Sequence, residues 1–233
     1  MQLALSLGQF RFYHDVIEKS WALPMYIPSA FSVADSDAMH ALMRAFPLAT
    51  LVRHTPQGLV ADAVPLWLDA EAGVLQGHIA RSNPLCREGT SDALAIFHGP
   101  QAYVSPSFLA SKQVDGKVVP TWNYMEVQVQ GRLRLIDDES WLLRQLASLT
   151  HAQEAALAQP WTLEDAPAGF IRKLSAAVIW IELEIGQLEG KFKLSQNQSA
   201  ENRASIRAAL AQSPQLQAQA MARVMSDDEF EAE

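Results

Sequence analysis

The sequence predicts a mainly β chain with helices, an α+β fold in which a small antiparallel barrel is decorated by peripheral helices. Three observations carry this. Runs of alternating apolar and polar residues recur between turn signals, most clearly from Trp122 to Ile136. The strands follow one another without parallel crossovers. A few amphipathic segments interrupt them.

Met25-Tyr-Ile-Pro reads as the natural beginning of the fold. Residues 1–24 are then an N-terminal extension, with some helical tendency around Phe10 to Lys19. Ser32-Val-Ala-Asp35 has capping-box spacing, with Asp in the place of Glu, and introduces a helix to about Ala45. Met39, Leu42, Met43 and Phe46 fall on one face, and Pro47 stops it. Leu48 to Arg53 reads as a strand, Pro56-Gln57-Gly58 as a turn and Leu59 to Leu68 as a second strand. After a turn at Asp69 to Gly73, Val74 to Ala80 completes a meander of hairpins. A short helix near Pro84 to Glu88 and a strand from Ala93 to His98 precede a long loop. In the strand Trp122 to Ile136, Val127, Val129, Leu133 and Leu135 face one way. Glu126, Gln128, Gln130, Arg132 and Arg134 face the other, and Gly131 suggests a bulge or barrel corner.

Asp138 to about Ala156 is an amphipathic helix with Leu142, Leu146 and Leu149 on its core side. A second helix begins at Pro167 and ends near Ala176. Ile179, Ile181, Leu183 and Ile185 alternate with Trp180, Glu182 and Glu184 in a strand, which leads through Glu189-Gly190 into Lys191 to Asn197. Ser199 opens a helix to about Ala211, and residues 213–233 are an acidic tail, mobile or helical. No linker or internal repeat divides residues 25–212, which read as one domain.

Of 233 residues, 49% are hydrophobic and 19% charged, enough for a sizeable core, and no apolar run reaches membrane-spanning length. A net charge of -8 makes the chain as a whole a poor partner for nucleic acid. The single cysteine, Cys86, excludes an internal disulfide and a Cys-cluster metal site, and suits a reducing cytoplasm. It reads as a small apolar filler rather than a nucleophile. Met1 to Leu7 lacks a basic flank and a cleavage site, so a signal peptide is rejected.

Three segments carry candidate binding residues. Phe97 to Tyr124 holds two glycines, three prolines, two lysines and five aromatics, unusually many large side chains for a loop. Tyr103 and Trp122 can stack on a planar ring, while Ser105, Ser107, Ser111 and Lys112 can bind its oxygens. Aromatic packing within the loop explains the same residues. The second segment, His78-Ile-Ala-Arg81-Ser82-Asn83-Pro84, falls at a strand end. Ser82 or Asn83 would cap a helix opened by Pro84, whose N–H groups suit a phosphate together with Arg81, and His78 lies near. A plain turn with a solvated arginine is the alternative. Third, Lys193, Ser195 and Asn197 share a strand face, with Lys191 beginning the series. That stripe suits an anionic ligand or an edge strand guarded by lysines. No metal-ligand spacing, glycine-rich phosphate loop, serine-hydrolase motif or catalytic residue is recognisable.

Together Met25-Tyr-Ile-Pro, Ala49-Thr-Leu-Val, Gly77-His-Ile-Ala-Arg-Ser-Asn-Pro84, Phe97-His-Gly-Pro-Gln-Ala-Tyr-Val-Ser-Pro-Ser107, Val119-Pro-Thr-Trp-Asn-Tyr124, Leu188-Glu-Gly-Lys191 and Lys193-Leu-Ser-Gln-Asn197 resemble the PaiB family, described as FMN-binding negative transcriptional regulators. The likeness runs in order from about Met25 to Leu210. It implies a split β-barrel of the flavin-reductase or pyridoxamine-oxidase type, and a homodimer with FMN at the subunit interface. On that resemblance Arg81, Ser82 and Asn83 would hold the phosphate, with His78 nearby. Trp122 and Asn123 would border the isoalloxazine. Lys193 and Ser195 would reach its polar edge, where a cation stabilises the reduced flavin.

The function expected is an FMN-binding, cytoplasmic transcriptional repressor acting through redox state or a partner. No groove-reading element is recognisable, and the acidic charge argues against autonomous DNA binding. The alternatives are a flavin-dependent oxidoreductase acting on a small molecule, and a barrel that binds haem through His78 or His98.

Overall fold

In the computed structural model, which describes residues 23–167 and 169–225, nine strands form one antiparallel sheet. They are β1 (Ser32–Val33), β2 (Leu48–Thr55), β3 (Gly58–Pro65), β4 (Trp67–Asp69), β5 (Val74–Ala80), β6 (Ser91–Val104), β7 (Thr121–Ile136), β8 (Val178–Glu184) and β9 (Gln187–Lys193). The helices are α1 (Ser36–Ala45), α2 (Glu139–Glu154), α3 (Phe170–Ser175), α4 (Ala200–Ala211) and α5 (Leu216–Val224). The helical tendency read at Phe10 to Lys19 lies outside the described residues, as do residues 226–233 of the tail.

The hydrogen-bonded path runs β3-β2-β6-β7-β8-β5-β4. β3 and β4 are consecutive in the chain but stand at opposite ends of that path, so the corner at Pro65 and Leu66 brings the two ends together without a ladder between them. The expected single strand from Leu59 to Leu68 is therefore two. Pro65 has no N–H to continue a ladder, and the Leu66 N–H turns instead to the Pro47 carbonyl at 2.8 Å.

The split in the barrel falls on β7. One edge of β7 pairs with β6 along most of its length. The other edge is shared: β9 pairs with Tyr124 to Gln130, and β8 with Leu133 to Ile136. Gly131 stands at this fork. A Cβ there would lie 1.6 Å from the Glu184 carbonyl oxygen, so only glycine lets the β8 backbone pass. The β6–β7 register is unbroken at Gly131, and the bulge lies instead between His98 and Gln101. That bulge takes Pro100 out of the ladder and lets β6 run on to Val104, well past the end expected at His98. Glu189-Gly190, the expected connection into Lys191 to Asn197, lies inside β9. There the glycine makes room for Met39, whose side chain would stand 2.8 Å from an added Cβ.

Asp35 caps α1, accepting from the Asp37 N–H at 2.9 Å. Ser32 pairs with Lys191 in β1 instead of forming the expected capping box. Met39, Leu42 and Met43 are buried as their spacing requires, whereas Phe46 ends the helix exposed. The barrel interior is filled by alternate residues of its strands, among them Leu51, Phe97, Val127, Val129, Ile181 and Leu183. A second core joins Ala102, Val104 and Leu109 to Ile206 and Leu210 of α4 and Met221 of α5. The last two helices thus clamp the end of β6 and the loop that follows it. Among the described residues no helix is long and apolar enough to cross a membrane.

Candidate functional site

Two of the three predicted segments converge. The β6–β7 loop and the end of β9 enclose a cavity of about 240 Å³. Ser111, Lys117, Thr121, Lys193, Ser195 and Asn197 supply its polar lining, with Val104, Leu109 and Ile206 beneath. Two lysines and no carboxylate line it, so its charge suits an anion. Lys193 Nζ donates to Thr121 Oγ1 and lies 5.8 Å from the centre of the Phe31 ring. Ser195 has a φ of 62°, in the left-handed region, and its buried Oγ donates to Asn123 Oδ1 at 2.9 Å. Asn123 is itself fully buried, and its Nδ2 reaches Met225 Sδ at 3.5 Å. Its geometry fixes Ser195 and the end of β9 from below rather than presenting a polar group to the cavity.

The loop above is held by its own polar groups. Ser105 Oγ accepts from the Ser107 N–H at 3.2 Å, and Lys112 Nζ donates to Ser107 Oγ at 2.9 Å. Asn202 of α4 accepts from the Ser111 N–H at 3.0 Å and donates to Ser111 Oγ at 3.1 Å. Asn202 has no local sequence signal, because a buried asparagine in a helix announces itself only through its distant partner. Tyr103 and Trp122 are a cross-strand pair in edge-to-face contact at 5.8 Å, 46% and 53% exposed. They leave aromatic surface open to a planar ring.

The Arg81 segment lies elsewhere. Asn83, not Ser82, caps the 3₁₀ turn at Pro84–Glu88, accepting from the Leu85 N–H at 2.8 Å. Its Nδ2 donates to Asp62 Oδ2 at 2.9 Å, while Ser82 is exposed. Arg81 Nε donates to the Ala176 carbonyl at 3.0 Å, and its two terminal nitrogens donate bidentately to Asp137. The guanidinium's hydrogen bonds hold the Asp137 carboxyl below its ordinary pKa. The adjoining cavity, about 640 Å³, is lined by Arg81 and Arg172 but also by Asp137, Asp138 and Glu139. An anion there must displace Asp137 from Arg81.

His78 faces neither cluster. It lines a third cavity of about 470 Å³, between α2 and the β4–β5 hairpin, and stacks on Trp180 with ring centres 6.1 Å apart. Burial lowers its pKa below the ordinary 6.5, so it is neutral at pH 7. The unfolded chain then binds the proton first as pH falls. Stability should therefore drop as pH falls through 6.5 towards the lower folded value, and level off beneath it. Urea midpoints between pH 7.5 and 5 measure this, and His78→Gln should flatten the profile; an unchanged slope in the variant would assign the loss to other groups.

The two polar clusters stand at opposite ends of β7. Lys193 pairs with Tyr124, whereas Ile136 pairs with Trp180 near the end of β5 that leads to Arg81. The strand between them spans about 40 Å at ~3.3 Å per residue, and no described cavity contains both Arg81 and Lys193.

Residues 25–187 match the family described as "Putative FMN-binding domain". An uncharacterized protein of Emericella nidulans is 31% identical over 218 residues, covering 72% of this chain and 87% of that one. The Bacillus subtilis protein called Protease synthase and sporulation protein PAI 2 is 26% identical over 208 residues, covering 87% of this chain and 97% of its own. Among solved structures, the FAD and heme binding protein from Mycobacterium smegmatis aligns with a TM-score of 0.55 at 17% identity, over 75% of this chain and 78% of that one. The flavocytochrome Anf3 from Azotobacter vinelandii aligns with a TM-score of 0.54 at 16% identity, over 70% and 69%. These likenesses bear out the expected split barrel with peripheral helices. The family match spans most of the described residues, the blocks around Arg81 and the aromatic loop included, and the chain belongs to this FMN-binding family.

Proposed function

We propose that this protein is an FMN-binding regulator of transcription whose flavin site is completed by a second copy of the chain. The separation of the Arg81 and Lys193 clusters along β7 carries this reading. The Lys193 cavity, about 240 Å³, is smaller than the roughly 300–1,000 Å³ of sites that enclose a drug-sized ligand. It holds part of FMN and needs a second wall. A two-fold dimer sets one copy's Arg81 end beside the other's Lys193 end. One sheet face suits the contact. Leu48 and Leu59 on it are 62% and 76% exposed, and Val52, Leu94 and Ile96 are half-buried beside them.

In this arrangement Lys193 and Ser195 meet the polar edge of the ring, and Tyr103 and Trp122 border its plane. Asn123 positions Ser195, and the Ser105–Lys112 loop covers the edge. Arg81, released from Asp137, and Ser82 take the phosphate on the turn that Asn83 sets, and His78 stays outside the site. Bound FMN supplies reversible electron transfer, and the nearby lysine favours its reduced form. Regulation then runs through redox state or a partner in the cytoplasm, since a net charge of -8 opposes autonomous DNA binding. A flavin-dependent oxidoreductase would use the same site. Haem has weaker support: the cavity at His78 has no cation for propionates, and His98 is exposed.

The purified protein should be yellow and release FMN; a colourless protein that takes up none would sink the cofactor assignment. Arg81→Ala should weaken FMN by about tenfold or more with riboflavin little changed, and equal loss for both ligands would refute the phosphate role. Mixing Arg81→Ala with Lys193→Ala protomers should restore about one quarter of the sites. No recovery on mixing would refute the shared site. NADPH-driven bleaching would favour the oxidoreductase, and salt-dependent binding of a promoter fragment would favour direct regulation.

A further inference from the structure

We propose that the cleft between α2 and the β4–β5 hairpin is a second ligand site, which takes a planar aromatic molecule without negative charge. Its volume, about 470 Å³, lies within the range of sites that enclose small molecules. Three aromatic side chains line it: Trp67 from β4, His78 from β5 and Trp161 from the segment after α2. Leu146 and Leu149 complete the apolar wall. They belong to the stripe of α2 whose spacing aims it at a core, yet of that stripe only Leu142 is buried. The helix leaves apolar surface facing the cleft instead of closing on the sheet.

Trp161 is fixed in place although it is 41% exposed. Its backbone N–H donates to Glu154 Oε2 at 3.0 Å, and the next residue is locked by Asp165 Oδ2, which accepts from the Thr162 N–H at 2.7 Å. His78 is held by stacking on the fully buried Trp180. The neutral imidazole, Thr150 and Gln153 offer hydrogen bonds to a carbonyl or amide at the edge of a ring. Charge decides the ligand class. Glu154 lines the cleft and no lysine or arginine does, which disfavours carboxylates and the FMN phosphate alike.

The test uses the full chain as purified and a pair of probes of one shape, 2-naphthamide and 2-naphthoate, followed by calorimetry. The amide should bind with a sub-millimolar Kd and the carboxylate about tenfold more weakly. Trp161→Ala should weaken the amide about tenfold by removing an aromatic wall. Leu149→Trp, which fills the cleft, should abolish binding. Both variants should keep the wild-type FMN content, which separates this site from the flavin site. No binding of the amide by the wild-type protein, equal affinity for the two probes, or binding untouched by Trp161→Ala would each overturn the proposal.

Discussion

Alanine at Gly131 is expected to destabilise the fold by at least about 4 kcal/mol, a loss that few single substitutions reach. The added Cβ would lie 1.6 Å from the Glu184 carbonyl oxygen and 2.9 Å from its carbon. Both are backbone atoms, so no rotamer change relieves the overlap. Relief requires β8 to move away from β7, which would break the pairing of Leu133 with Leu183 and open the core around Leu133, Ile181 and Leu183. Gly190 is the internal control. A Cβ there meets the Met39 side chain at 2.8 Å and Val33 Cβ at 3.0 Å; the methionine can swing aside, and the short β1 need give only a few tenths of an ångström. Gly190→Ala should cost about 1–2 kcal/mol. Thermal melts resolve the difference. At ~2–4 °C per kcal/mol for a chain of this size, Gly131→Ala should lower Tm by at least about 8–16 °C, and Gly190→Ala by no more than half of that. Equal shifts would show that the fork relaxes and that the close approach is not binding on the fold.

The same two glycines show what the sequence reveals and what it hides. β7 is readable because five polar and four apolar residues alternate along it, with Gly131 standing where a fifth apolar residue would fall. Gly131 is visible as an exception, but its reason is a strand more than fifty residues away, so a bulge and a fork look alike. Gly99-Pro100 and Gly190 read as breaks in pairing, and Pro65 as part of an unbroken strand. In the fold they serve a bulge, the seat of Met39 and a corner, because a glycine or proline answers to packing as much as to turns. The site behaves likewise. Each candidate block is recognisable from its residues, whereas the distance between Arg81 and Lys193 depends on the register of β5, β8, β7 and β9, which no local pattern encodes. The partners that govern Arg81 and Asn83 were equally hidden: Asp137 lies 56 residues from the one, and Asp62 lies 21 from the other.

Arg53 links that hidden layer to the candidate site, and its replacement by methionine is expected to cost about 3–5 kcal/mol. The side chain is 1% exposed, on β2 beneath the turn that carries Asn83. Its Nε donates to Ser91 Oγ at 2.9 Å, one terminal nitrogen donates to the Leu85 carbonyl, and the other to the Gly89 carbonyl at 3.1 Å. One planar fork thus ties both ends of the 3₁₀ turn to the barrel wall. Methionine fills the space but strands those acceptors. Lysine keeps the charge yet offers a single point of donation, so Arg53→Lys should lose about half as much. Urea unfolding measures the stability, and wild-type midpoints for both variants would remove Arg53 from the account. FMN titration of Arg53→Lys measures the effect on the flavin site. Arg81 lies two residues before Asn83, and loosening the capped turn should misplace its guanidinium while the distant Lys193 cavity stays intact. FMN affinity should therefore fall more than riboflavin affinity; a parallel fall for both would confine Arg53 to holding the fold.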